Sequence, residues 1–251
     1  MLKLFQEHDM SVEGLVKSSN RTTTVKFRIM GNNTQLLRVD EESEHNIDPT
    51  EAKELFERIS NIIKDRKVDV VIFEDYDKGV ITQQLISEVV ALATEHKIPT
   101  VVDPKRKNFL HYKGVSIFKP NLKELREGLK LDNDLVSPEK LDRAVSILQQ
   151  KLEAEMILAT MSDKGIYFYQ KCKNGNVQKG QYPAQLRKIS DVSGAGDTVV
   201  SIAALSLAAG ATLPQIAWLA NLAGGLVCEQ AGVVPINKEL LISEVNSQKP
   251  Q

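Results

Sequence analysis

The chain has 251 residues, enough for one large α/β domain or two small ones. Hydrophobic residues make up 42% and charged residues 26%, which excludes a disordered chain. The formal net charge of −1 excludes a standing attraction to nucleic acid or an anionic membrane, so any anionic ligand must be held by local geometry.

Residues 22–40 (TTTVKFRIMGNNTQLLRVD) read as two strands around a GNN turn. A helix over 50–65 places Leu55, Ile59, Ile62 and Ile63 on one face. VDVVIFE is a β-branched strand that ends in the acidic pair Glu74-Asp75. A second helix over 80–96 turns Leu85, Val89, Val90 and Leu92 inward. IPTVVDP and VSIFKPN are buried strands, the latter stopped by Pro120. Helices follow over 121–129 and 137–152, the second with Leu141, Ala144, Val145 and Leu148 in register. EMILAT is a fourth buried strand, residues 165–182 form a hairpin around Asn174-Gly175, and the chain from about 195 onward is mostly helical.

Continuous apolar strands that alternate with amphipathic helices predict a parallel sheet covered on both faces. Ligands of such sheets collect at the carboxyl ends of the strands. Asp75, Asp103, Asn121 and Ser162 occupy those positions.

Cys172 and Cys228 have no paired spacing, which fits neither a disulfide framework nor a zinc site and suits a reducing compartment. The opening MLKLFQEHDM lacks the apolar run of a leader, and no apolar stretch has the length of a membrane span. The expectation is a cytoplasmic protein without membrane or nucleic-acid partners.

The most informative stretch is Asp191-Val-Ser-Gly194-Ala195-Gly196-Asp197-Thr198, followed by the apolar run VVSIAALSLAAG. Two glycines let the backbone approach a ligand, and the N–H groups of the helix that starts there form an anion site. An acid in that first turn is poorly explained as a phosphate contact. It fits a base that takes a proton from an attacking hydroxyl while the N–H groups hold the transferring group. Taken alone, the tetrapeptide reads more readily as a tight loop, with Asp197 a favourable first-turn acid or helix cap.

The octapeptide resembles the C-terminal signature of ribokinase-like (PfkB-type) carbohydrate kinases. The resemblance implies a ribokinase-like α/β fold with a small β lid. It gives Asp197 the role of base and Gly194, Ala195 and Gly196 that of anion hole, with ATP and Mg²⁺ as cofactors. Asn121-Leu-Lys-Glu124 resembles the family's N-x-x-E element, which implies that Glu124 orders Mg²⁺ through water; the same residues also spell a capping box. Thr160-Met-Ser162-Asp-Lys-Gly165 resembles the nucleotide-contacting loop, and Asn221 the asparagine of the helix over the adenine.

A narrower resemblance is to the kinases that phosphorylate D-glycero-β-D-manno-heptose 7-phosphate on the way to ADP-heptose and lipopolysaccharide. It is carried by Arg21-Thr-Thr-Thr24-Val-Lys26-x-Arg28, Gln35-Leu-Leu-Arg38-Val-Asp40, Asp75-Tyr-Asp-Lys78-Gly79 and Asp103-Pro-Lys105. It implies a sugar phosphate as partner, with Arg38, Asp75, Lys78 and Lys105 on the substrate side. The lid strands at about 22–40 imply pairing between two subunits. Adenylylation of the product would need a separate adenylyltransferase.

The family's opening Gly-Asp strand and Gly-Gly-x-x-x-Asn loop have no counterpart here. The expectation is therefore a single kinase domain over 1–251 that lacks its first βα units, with an exposed sheet edge. The alternatives are a kinase for another sugar or a nucleoside, and a truncated nucleotide-binding protein without catalysis.

Overall fold

The structure, a computed structural model, describes residues 2–31, 34–131, 137–172, 174–185 and 187–248. A short helix, α1 (Leu2–Glu7), buries none of its residues, which is why no periodic signal marks it. The hairpin expected over 22–40 is β1 (Val25–Gly31) and β2 (Thr34–Glu41), antiparallel, with Phe27 opposite Val39 and Ile29 opposite Leu37. Its turn residues Asn32 and Asn33 lie outside the described residues.

The alternating middle of the chain folds as α2 (Pro49–Asp65), β3 (Val71–Glu74), α3 (Gln83–Glu95), β4 (Thr100–Asp103), β5 (Ile117–Phe118), α4 (Leu122–Gly128), α5 (Pro138–Leu152) and β6 (Met156–Thr160). The helices start where a side chain satisfies a free N–H. Asp48 accepts from Thr50, Thr82 from Leu85, Asn121 from Glu124 and Ser137 from Lys140. Thr82 is the reason α3 begins at Gln83 and not at the expected residue 80. After a short 3₁₀ turn (Ser162–Lys164) come β7 (Ile166–Lys171) and β8 (Val177–Tyr182), then α6 (Ala195–Ala208), α7 (Leu213–Val227) and α8 (Lys238–Ser247).

Six strands form one sheet in the order β3-β4-β5-β6-β7-β8. The first four are parallel, and the β7–β8 hairpin extends them antiparallel. The sheet is thus mostly parallel, with the second hairpin joined to it.

Neighbouring residues of each inner strand serve opposite faces, which explains the unbroken apolar runs. Val102, Phe118, Ile157 and Tyr167 pack toward α3 and α5, with Phe109 and Tyr112. Val101, Ile117, Leu158 and Phe168 pack toward α6 and α7. β3 stands at the end of the strand order, with Ile72 38% exposed. No helix among the described residues is long and apolar enough to cross a membrane.

Candidate active site

The site is organised around the start of α6. Gly194 precedes the helix with φ 81°, a left-handed conformation that glycine adopts without a Cβ penalty, and no side chain caps the helix. The first-turn N–H groups of Gly196 and Asp197 are therefore left for an anion, with the positive end of the helix behind them. Asp197 lies in that turn and is exposed, while the next residue, Thr198, is buried. Ser193 N donates to Asp191 Oδ1 at 2.9 Å and Gly232 N to Asp191 Oδ2 at 3.1 Å, so Asp191 holds the loop that enters the helix.

Below this loop lies a buried ion pair. Lys119 Nζ stands 3.1 Å from Asp103 Oδ1, and both side chains are over nine-tenths buried. A Cβ on Gly196 would fall 3.8 Å from Asp103 Oδ2 and 3.9 Å from Lys119 Nζ, so the first turn of α6 rests directly on the pair. Lys119 is not among the expected site residues, although a lysine between Phe118 and Pro120 at the end of a buried strand is a usable signal.

Lys105 links Asp103 to the start of α4. Its ammonium is 3.9 Å from Asp103 and 2.9 Å from Glu124 Oε1. Glu124 Oε2 accepts from Asn121 N at 2.9 Å, and Asn121 Oδ1 accepts from Glu124 N at 2.8 Å. Asn121 and Glu124 thus form the capping box that their spacing allowed.

Glu74 at the end of β3 completes the acidic lining. One oxygen each from Glu74, Asp103 and Asp197 lies within 4.8 Å of the others. Burial, then Asp103 and Asp197, pushes the Glu74 carboxyl up to about 7. The half-exposed phenol of Tyr76 is pushed above its ordinary range by burial and by the neighbouring charge of Asp197. The sequence marks Glu74 as a strand-end acid and Tyr76 as part of the Asp75–Gly79 segment, but neither is among the expected site residues.

The other expected site residues divide. Asp75 is buried and engaged inward: it accepts from Tyr112 Oη at 2.7 Å, Asn108 Nδ2 at 2.9 Å and Asp77 N at 2.9 Å. It shapes the loop after β3 from beneath. Lys78 is held by the carboxylates of Glu42 and Glu44, the latter at 2.8 Å, just past β2. Arg38 stands in β2 opposite Arg28, and its side chain lies outside the described residues.

Ser162 is exposed at φ 55° in the turn after β6. Gly165 follows at φ 88°, where a Cβ would fall 2.0 Å from Tyr182 O, so a glycine is required for β8 to pass. Asn221, on α7, donates to Pro183 O at 2.8 Å and ties the helix to the segment after β8.

The chain ends of β3, β4, β5 and β6 and the start of α6 thus meet at one edge of the sheet. Among solved structures, Escherichia coli phosphofructokinase-2 in complex with potassium superimposes with a TM-score of 0.77 at 15% identity, over 96% of this chain and 75% of that one. Arabidopsis thaliana ribokinase complexed with ribose and ATP gives 0.66 at 14%, over 89% and 69%. At such identities the likeness is one of fold.

The sequence carries the relationship further. A curated relative named bifunctional protein HldE, from Syntrophotalea carbinolica, is 36% identical over 236 residues, 94% of this chain and 46% of the relative. Another of the same name, from Gluconacetobacter diazotrophicus, is 35% identical over 94% of this chain and 47% of the relative. The chain therefore spans about half the length of the curated relatives it matches. The pattern of the pfkB family carbohydrate kinases matches residues 1–239, and with the fold and the α6 loop in agreement, the chain belongs to that family.

Proposed function

We propose that the chain transfers the γ-phosphoryl group of ATP to a sugar hydroxyl, with Asp197 as general base. The observation that carries this is an exposed carboxylate in the first turn of an uncapped helix, resting on a buried Lys119–Asp103 pair. Asp197 takes the acceptor hydroxyl's proton, the acceptor oxygen bonds to the γ-phosphorus, and the bond to the β-phosphate oxygen breaks to release ADP. The N–H groups at 194–197 stabilise the charge on the transferring group. Ser162, Gly165 and Asn221 stand on the nucleotide side in this reading, and Lys105, Lys78 and Arg38 on the acceptor side, with Asp75 shaping the loop between them.

Both Glu124 oxygens already accept one hydrogen bond, from Lys105 and from Asn121 N, and each retains a second lone pair. That donor set fits an outer contact to Mg²⁺ through water and not direct ligation. Bound with the ATP phosphates, Mg²⁺ would neutralise charge as it develops there.

The acceptor we favour is D-glycero-β-D-manno-heptose 7-phosphate, at its anomeric hydroxyl, for ADP-heptose synthesis. Support comes from the Asp75–Gly79, Asp103–Lys105 and 21–40 segments and from relatives named HldE. A separate adenylyltransferase would then complete the activation. Exposed Val25, Phe27, Ile29, Leu37 and Val39 share one face of the β1–β2 hairpin, which supports pairing of two subunits through it.

The test is ATP turnover by the chain with Mg²⁺ and heptose 7-phosphate, against fructose 6-phosphate and ribose. Turnover with the heptose phosphate alone is expected. Preference for another acceptor overturns the substrate, and ATP binding without turnover of any acceptor overturns the kinase reading. Asp197→Asn should lower turnover by about 10²–10⁴-fold with the fold intact, as judged by circular dichroism. A loss below tenfold would remove Asp197 as the base.

A further inference from the structure

Three carboxylates face the start of α6, and their counter-charges are fewer. Glu74, Asp103 and Asp197 each bring an oxygen within 4.8 Å of the other two. Lys119 pairs with Asp103 at 3.1 Å. Lys105 lies 3.9 Å from Asp103 but closer, 2.9 Å, to a fourth acid, Glu124. With four acids and two ammonium groups, two negative charges are left over in a half-buried corner, and like charges at this range resist simultaneous ionisation. Asp103 has its ammonium, and Asp197 is exposed at the positive end of a helix. Glu74 has neither: among the described residues no ammonium or guanidinium pairs with it.

We propose that Glu74 is a positioning residue for phosphoryl transfer, a second carboxyl coupled to Asp197 whose loss of a proton strengthens Asp197 as acceptor of the hydroxyl's proton. The catalytic consequence rests on the kinase reading above, whereas the coupling does not. A charge on Glu74 favours placing a proton on its neighbour, so turnover should rise as Glu74 ionises.

The groups that face Glu74 are Asp103 and Lys105 from β4 and its loop, Lys119 from the end of β5, Asp197 from α6 and Tyr76 from its own loop. Burial, Asp103 and Asp197 favour the neutral form, and the two lysines oppose them. The balance places the change at about 7, where a small shift in pH alters the charge beside the base.

The experiment is a ¹³C-detected titration of glutamate carboxyls in the full chain, with Glu74→Gln to assign the resonance. Glu74 should titrate near 7 and move down by about one pH unit in Asp197→Asn. Asp197→Ser should give the same displacement, which guards against misfolding of one variant. A Glu74 midpoint near the ordinary 4.5, or one that ignores both substitutions, overturns the coupling whether or not the chain turns over ATP.

The pH–rate profile then tests the catalytic half. Glu74→Gln should lose the rise centred near 7, which the parent keeps. A uniform loss at every pH, with the rise still in place, would mean that Glu74 only supports the structure. Absence of turnover in the parent would fail the kinase reading and leave the titration to decide the coupling.

Discussion

At the scale of single residues, the Lys119–Asp103 pair shows how a buried charge can serve a site. Asp103 Oδ1 lies 3.1 Å from the ammonium yet has no hydrogen bond of good angle, so the contact is mainly one of charge. Breaking such a pair on one side leaves an ion without its counter-charge. Lys119→Met should therefore cost about 3–5 kcal/mol in urea denaturation. Adding Asp103→Asn should return a large part of it, because the double variant no longer buries an unpaired carboxylate. Full additivity of the two losses would show that the pair is not coupled. Local sequence does not reveal the role of Lys119, because its neighbours are apolar and its partner lies sixteen residues away on the adjoining strand.

At the scale of elements, the start of α4 carries two jobs that can be separated. The reciprocal Asn121–Glu124 bonds satisfy two N–H groups of a short helix. Asn121→Ala should lower stability by about 1 kcal/mol, measured by chemical denaturation. Asn121→Asp keeps a side chain that caps equally well, so stability should hold. A rise in KM for ATP in Asn121→Asp would then report on the nucleotide and not on the helix. The sequence pattern specified this element almost completely, since cap, box and helix are local interactions. It could not say that Lys105, from the loop after β4, would occupy the other Glu124 oxygen at 2.9 Å.

For the whole molecule, two properties follow from how the layers are assembled. Glu74 carries a raised pKa, about 7 against an ordinary 4.5. The folded state holds a proton there that the unfolded state has already lost, so Glu74's contribution is fully present below about 4.5 and is lost as pH rises through about 7. Thermal midpoints should decline with pH across that window, and the decline should be shallower in Glu74→Gln. An unchanged slope would place the titrating group elsewhere. The second property is the apolar face of the β1–β2 hairpin, with Phe27 53% exposed. Sedimentation should detect a concentration-dependent dimer, and Phe27→Asp should shift it to monomer by placing a charge at the centre of the contact.

The sequence by itself determined the succession of strands and helices, the glycine-led start of α6 and the family, because capping, periodicity and a contiguous loop are written within a few residues of one another. The tertiary structure alone decided which charges meet. Glu74, Asp103 and Asp197 come from β3, β4 and α6, and their approach within 4.8 Å depends on parallel strand register and on α6 docking beneath β4. The same holds for Asp75 and Lys78: both read as polar strand-end residues, yet one is drawn into Tyr112 and Asn108 and the other onto Glu42 and Glu44. Partners distant in the chain are fixed by packing and electrostatics in three dimensions, and local residue patterns do not encode their distances.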